Sequence, residues 1–270
     1  MEDLCSQLED LLIKSKANKL LEPLNFKCMF VNNEDMLNRM TDKILLEAKN
    51  DSFALNVDFE GVNLSRDGRI CLGQFHISGS SLVYVVDFVD LDPLKAADGK
   101  LTKILESGQI QKIFFDPRND SDALANLHNV HMKNVLCLQV SEVAFRKFNR
   151  RLKTNFVFGL QRTMDEHILT LDSPRKNVLM KIKAKGKQLF CPEFGGSYQV
   201  FVDRPLSDDL LAYSAVDVFF MDQLKNMLYD SLGVNIQVKV RRISEERLNE
   251  HKNPGYQPKG REKAICPSFK

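Results

Sequence analysis

Apolar residues follow two kinds of spacing along this chain, and the switch between them sets the fold reading. Over 3–22 (DLCSQLEDLLIKSKANKLLE), Leu4, Leu8, Leu11, Leu12 and Ile13 recur near helical spacing, and Pro23 marks the end. A second helix is predicted over 34–49. The spacing then shortens. Ser52–Phe59 (SFALNVDF) is a short apolar run of strand formers, and in the following SRDGRICLGQFHIS the Asp67-Gly68 pair signals a tight turn between two strands. Ser81–Asp90 reads as a third strand. Three strands with short connections predict an antiparallel meander.

Helices and strands then alternate. Lys100–Ser107 is predicted helical, Lys112–Asp116 a strand and Asp120–Leu127 a helix, while Val135–Val140 fits either a strand or a helix start. Asp208 to Leu232 is predicted as one long helix, with Ser207 as N-cap, Asp208 and Asp209 at the positive dipole end and Gly233 at C′. The fold class is therefore α/β: a mixed sheet, an antiparallel three-strand meander followed by alternating α/β, flanked by helices. Pro254, Gly255, Pro258 and Gly260 stand among charges and predict extended or disordered chain at the end.

Composition adds limits. The chain has 270 residues, 43% hydrophobic and 27% charged, enough for one large domain with appendages. No apolar run suits a membrane span, and the acidic N-terminus does not suit a secretory signal. Six scattered cysteines without C-x-x-C spacing predict reduced thiols in an intracellular protein, cytoplasmic with the nucleus as alternative. Net charge is only +2, yet 146–187 holds twelve Lys/Arg against three Asp/Glu, and 234–270 holds nine against four. That asymmetry points to a polyanionic partner or to a solvated face and tail.

Three fragments carry candidate chemistry. Asp58-Phe59-Glu60 ends the first predicted strand, where residues two apart share a face. Two like charges at the end of an apolar strand are costly unless a cation neutralises them. In FFDPRNDSDAL (114–124), Asp116, Asp120 and Asp122 gather at a strand-to-helix junction. Tyr213 and Asp217 stand one turn apart on the late helix. Taken alone, each also fits an ordinary role: solvated strand-end acids, a helix cap, and a boundary Asp beside a half-buried Tyr.

Their order is more specific. D-x-E on a first strand, an Asp opening a middle helix and Y-x-x-x-D on a late helix resemble the DEDD exonuclease superfamily in its tyrosine-containing branch. Over about residues 26–233 the sequence resembles the RNase D-like 3′→5′ exonuclease domain, and so an RNase H-like fold. Within it, the chain is most similar to the branch of the Egalitarian protein and the exonuclease-domain proteins of the piRNA pathway. VDFEGVNLSRDGRICLGQ (57–74), DPRNDSDAL (116–124), NVLCLQV (134–140) and RPLSDDLLAYSAVDV (204–218) carry the resemblance. It divides the chain into an N-terminal helical extension (1–25), the exonuclease domain (26–233) and a basic tail (234–270).

The resemblance implies two divalent ions, Mg²⁺ or Mn²⁺. Asp58 would bridge them, Glu60 and Asp217 would hold the ion that activates water, Asp120 would hold the second, and Tyr213 would orient the attacking water. It implies 3′→5′ hydrolysis of single-stranded RNA to nucleoside 5′-monophosphates. Phosphate contacts would fall in the basic stretch, at Arg146, Lys147, Arg150, Arg151 and Lys153, with Phe148, Phe156 and Phe158 interleaved. Two alternatives stand beside it: a weak or inactive RNA-binding adaptor in a small-RNA or mRNA-transport complex, and a DNA-directed 3′→5′ exonuclease. The N-terminal helix offers a surface for a protein partner or a second copy. Two positions depart from the family, which has His where Phe115 stands and Asp-Thr where Cys137-Leu138 stands. Cellular RNase D also carries a further helical domain, whereas 37 residues follow Gly233 here.

Overall fold

The computed structural model describes residues 15–50, 52–168 and 172–270. The N-terminal helix expected over 3–22 therefore lies mostly outside the described residues. Its end is α1, Lys16–Leu21, capped by the Ser15 hydroxyl. Ala17 and Leu21 are fully buried, the Asn18 amide bonds both backbone groups of Cys28, and the Ala17 N–H donates to Asp208. The described part of this helix packs on its own domain.

Six strands form one mixed sheet: β1 Lys27–Val31, β2 Ala54–Val62, β3 Arg69–Ile77, β4 Leu82–Asp87, β5 Gln111–Phe114 and β6 Val135–Cys137. Their order is β1-β4-β3-β2-β5-β6. β2, β3 and β4 are the expected antiparallel meander. β1 was not foreseen; it adds in parallel beside β4. β5 and β6 extend the other side in parallel.

Between and after the strands run α2 Glu34–Glu47, α3 Lys100–Glu106, α4 Arg118–His128, α5 Leu138–Ala144, α6 Leu160–His167, α7 Ser173–Phe190, α8 Asp208–Phe219, α9 Met221–Leu228 and α10 Val234–Leu248. Both readings of 135–140 hold in part, because β6 runs directly into α5.

The strands' alternation assigns the two faces. Leu55, Val57 and Phe59 of β2 join Leu37, Met40 and Ile44 of α2, Leu101 and Ile104 of α3, and Ala123 and Leu124 of α4. On the other face, β4's Val83 and Val85 pack with α8, α9, α7, α5 and α1. Asn56, Asp58 and Glu60 of β2 therefore face the α8 side. α8 runs through this layer with every residue from Leu210 to Val218 buried.

Two expectations are corrected here. The helix expected over 208–232 is broken at Phe219–Phe220. Phe219 stacks on Phe26 with centroids 3.8 Å apart, Phe220 is buried, and a new helix starts at Met221. Ser207 does cap the start, accepting from the Leu210 N–H. Gly233 precedes α10 as its N-cap and does not end the longer helix.

The last segment is also packed where extended chain was expected. Val240 and Ile243 of α10 enter the core, and the Ser244 hydroxyl accepts from the Cys137 N–H at 3.0 Å while donating to Val240 O at 2.8 Å. Beyond α10, Tyr256 and Lys263 both bond to Asn119 of α4, Ile265 bridges Phe156, and Phe269 is buried. Two short 3-10 turns, Glu250–Lys252 and Arg261–Ala264, the second led by Gly260, run through this segment. No helix among the described residues is long and apolar enough to cross a membrane. The five described cysteines are free thiols.

Ser244 couples α10 to β6 through one buried hydroxyl. Ser244→Ala leaves the Cys137 N–H without a partner and is expected to cost about 1–3 kcal/mol in urea unfolding, whereas Val238→Lys on the exposed side of α10 should change stability by less than about 0.5 kcal/mol.

Candidate active site

β2 sets the first two carboxylates. Asp58 stands opposite Gln74 of β3, Glu60 opposite Leu72, and the register slips between Glu60 and Gly61. A bulge at that point bends the strand end and aims Glu60. Gly61 is required there, because a Cβ would lie 2.0 Å from the Arg69 carbonyl oxygen.

α8 supplies Tyr213 and Asp217 from the layer above this face. Carboxylate oxygens of Asp58, Glu60 and Asp217 lie within 4.8 Å of one another. Asp120 comes from the first turn of α4. Its Oδ1 is buried with no hydrogen-bond partner among the described residues. Its charge is felt at Asp58 and Glu60.

Crowding and burial shift all four groups the same way. Burial, then the charges of Asp120, Glu60 and Asp217, hold Asp58 well above the usual carboxylate range. Burial and Asp217 push Glu60 up to about 8. Burial pushes Asp120 up to about 7, against hydrogen bonds from its own N–H and that of Phe59. Asp217 is raised by burial and partly relieved by Lys183 and the Tyr213 hydroxyl. Burial and the same carboxylates push the Tyr213 phenol far up, so it stays protonated and acts as a donor.

The sequence reading missed Lys183. It lies on α7, and its ammonium is ion-paired with Asp217 and 4.1 Å from the Tyr213 ring centre. α7 reaches this close because Gly186 rests on the same ring; a Cβ there would sit 2.2 Å from Tyr213 Cδ2. The start of α7 was legible: Asp172 caps the Arg175 N–H and Pro174 sits at the first turn. Reading 146–187 as a charge patch hid that helix.

The three acids at the 116–122 junction separate. Asp116 adopts φ 64° and takes two 2.6 Å bonds from Arg118. Asp122 accepts from the backbone and side chain of Arg66. Asp120 alone turns to the β2 carboxylates. The final segment steadies this junction: Tyr256 bonds Arg118 O and Asn119, and Lys263 bonds Asn119. The departures also have local partners. Phe115 packs at the core edge, and Cys137 Sγ lies 3.7 Å from Arg247, which bonds Gln139 at 2.6 Å.

Arg146 is a correction among the expected phosphate contacts. It is buried, bonded in two places to fully buried Glu142, and lies 3.7 Å over Phe158. It is an internal ion-pair partner and holds the loop that follows α5. Lys147, in the π-helical turn Phe145–Asn149 that continues α5, and Arg150, Arg151 and Lys153 just after it are exposed. Of the interleaved aromatics, Phe148 packs on Phe269, Phe158 is sandwiched by Arg146 and Arg162, and Phe156 is exposed.

A groove of about 400 Å³ opens beside Glu60, bordered by Asn63, Asn119, Tyr198, Pro258 and Lys259. Tyr198 is 41% exposed and packs on Phe190, which also touches Tyr213. It is the second site residue the sequence reading missed.

The donor set suits hard divalent cations: all four ligand candidates are carboxylates, and Asp120 Oδ1 is an orphaned buried acceptor.

Comparison with known proteins gives the family and the fold. A family model described as 3′-5′ exonuclease matches residues 29–233. An Egalitarian protein homolog of Caenorhabditis elegans is 26% identical over 227 residues, covering 82% of this chain and 35% of that protein. The piRNA biogenesis protein EXD1 of Bombyx mori is 30% identical over 140 residues, covering 47% of this chain and 43% of that protein. The chain thus spans less than half the length of either relative. Among solved structures, Trypanosoma brucei RNase D in complex with RNA U12 superposes with a TM-score of 0.67 at 21% identity, over 93% of this chain and 80% of that one. That likeness is one of fold.

The raised carboxylates fix a pH dependence. A carboxyl raised by folding adds stability that is complete below its unfolded value and is lost as pH climbs through its folded value. Thermal melting in EDTA is therefore expected to fall as pH rises from about 5 to about 8, through the values of Glu60 and Asp120, and Asp58→Asn should make that fall shallower.

Proposed function

The chain belongs to the 3′-5′ exonuclease family, and on that premise we propose that it hydrolyses single-stranded RNA from the 3′ end at a two-ion centre of Mg²⁺ or Mn²⁺. The observation that carries this reading is the meeting of Asp58, Glu60 and Asp217, with the unpartnered buried Oδ1 of Asp120 beside them. Four carboxylates drawn from three elements, Asp120 and Asp217 buried and Asp58 and Glu60 half-buried, repel one another, and a cationic ligand is the natural compensation.

Asp58, Glu60 and Asp217 would hold one ion, and Asp58 and Asp120 the other. When bound, such ions supply an activated hydroxide and stabilise the leaving 3′ oxygen. The chain's own part is orientation. β2 and its bulge fix Asp58 and Glu60, and the packed α8 fixes Asp217. Tyr213, whose hydroxyl hydrogen is directed to Asp217, would orient the attacking water through its phenol oxygen. The groove beside Glu60 would receive the terminal nucleotide, with Tyr198 as a stacking face and Lys259 beside a phosphate. Lys147, Arg150, Arg151 and Lys153 would meet phosphates further from the end. That the superposed RNase D structure is an RNA complex supports taking RNA as the substrate.

One observation favours a second reading. The Lys183 ammonium already sits on Asp217. An RNA-binding adaptor with weak or no turnover would tolerate such a pair.

End-labelled single-stranded RNA incubated with Mg²⁺, Mn²⁺ or EDTA separates the two. Exonuclease action predicts a ladder shortening from the 3′ end, only with metal, and reduced at least about 100-fold by Asp58→Asn. Tyr213→Phe should lower kcat about 10–100-fold with KM little changed, and Tyr198→Ala should mainly raise KM. RNA binding that EDTA leaves intact, with no shortening in either metal, would establish the adaptor.

A further inference from the structure

Lys183 is the charged group at this site that the proposed chemistry leaves unused. α7 is rich in lysine, yet Lys181, Lys185 and Lys187 are exposed while Lys183 is 5% exposed. Its direction is set by packing. Leu179, Ile182 and Gly186 occupy the buried side of α7, and Gly186 lies one turn from Lys183 against the Tyr213 ring. The ammonium is thereby led inward, between the Tyr213 ring and the Asp217 carboxylate.

This placement answers an electrostatic need. Asp58, Glu60, Asp120 and Asp217 share a desolvated region, and each raises the cost of ionising its neighbours. Lys183 lowers that cost at Asp58, Glu60 and Asp217, acting on three of the four acids. A divalent ion held by the same oxygens would answer the same need. Two cations drawn to one carboxylate repel each other, and an ion binding at Asp217 gains less when an ammonium already neutralises it.

We propose that Lys183 is a built-in counter-cation, which holds the carboxylate cluster together in the metal-free protein and competes with a divalent ion for Asp217. Metal loading is then weaker than the carboxylates alone would give, so the ion's concentration sets the fraction of sites loaded. The inference rests on the metal-centre reading above.

The test is Mn²⁺ binding to the full chain, read from the loss of the free-ion resonance, together with thermal melting in EDTA. Lys183→Met and Lys183→Gln both remove the charge, and the second keeps a hydrogen-bond donor beside Asp217 should the first fail to fold. Both are expected to melt below wild type in EDTA and to bind Mn²⁺ about tenfold tighter or more. Asp58→Asn should weaken Mn²⁺ binding. Wild-type affinity in the neutral variants, with binding still weakened by Asp58→Asn, would overturn the counter-cation and leave the metal centre standing. Unchanged melting in EDTA would overturn its part in holding the metal-free cluster. Mn²⁺ binding that Asp58→Asn leaves unaltered would overturn both.

Discussion

Four carboxylates converge where β2 ends, and much of the surrounding structure is explained by the cost of holding them there. Each is raised toward its neutral form by burial, and the other acids of the cluster add to it at Asp58 and Glu60. A fold stabilised by only a few kcal/mol does not carry such repulsion without compensation. Two compensations are on hand. One is internal, the Lys183 ammonium on Asp217. The other is the divalent cation that an all-oxygen donor set favours.

The scaffold around the cluster is correspondingly stiff. β2 is an interior strand, held by β5 along Ala54–Asn56 and by β3 opposite Asp58, so Asp58 cannot shift without disturbing its pairing with Gln74. Gly61 and Gly186 each stand where a side chain would collide, the first with backbone at the bulge and the second with the Tyr213 ring. The Asp116–Arg118 pair and the Tyr256–Lys263–Asn119 contacts brace the start of α4, where Asp120 sits. The last residues of the chain thus belong to the support of the site. That gives their charges a structural use besides any contact with phosphate.

Much of this was legible in residue order because it rests on local rules. Short runs of strand formers around the Asp67-Gly68 turn marked β2 to β4, Ser207 and its following acids marked α8, and strand and helix periodicity placed D-x-E and Y-x-x-x-D on shared faces. What escaped depended on distant contacts. β1 is five residues long and gains its identity from pairing with β4. The break at Phe219–Phe220 reflects a ring stacking on Phe26, almost two hundred residues earlier in the chain. Arg146 reads as one basic residue among many until Glu142 is seen buried beneath it. Lys183 sits in the same charge-rich stretch, and only the close packing of α7 on α8 turns it inward.

Anomalous scattering from crystals soaked in Mn²⁺ tests the metal centre most directly. Two peaks about 3.5–4 Å apart are expected, one among Asp58, Glu60 and Asp217 and the other between Asp58 and Asp120, with Lys183 drawn off Asp217. An absence of peaks at these carboxylates at saturating Mn²⁺, with Lys183 still paired to Asp217, would contradict a metal centre.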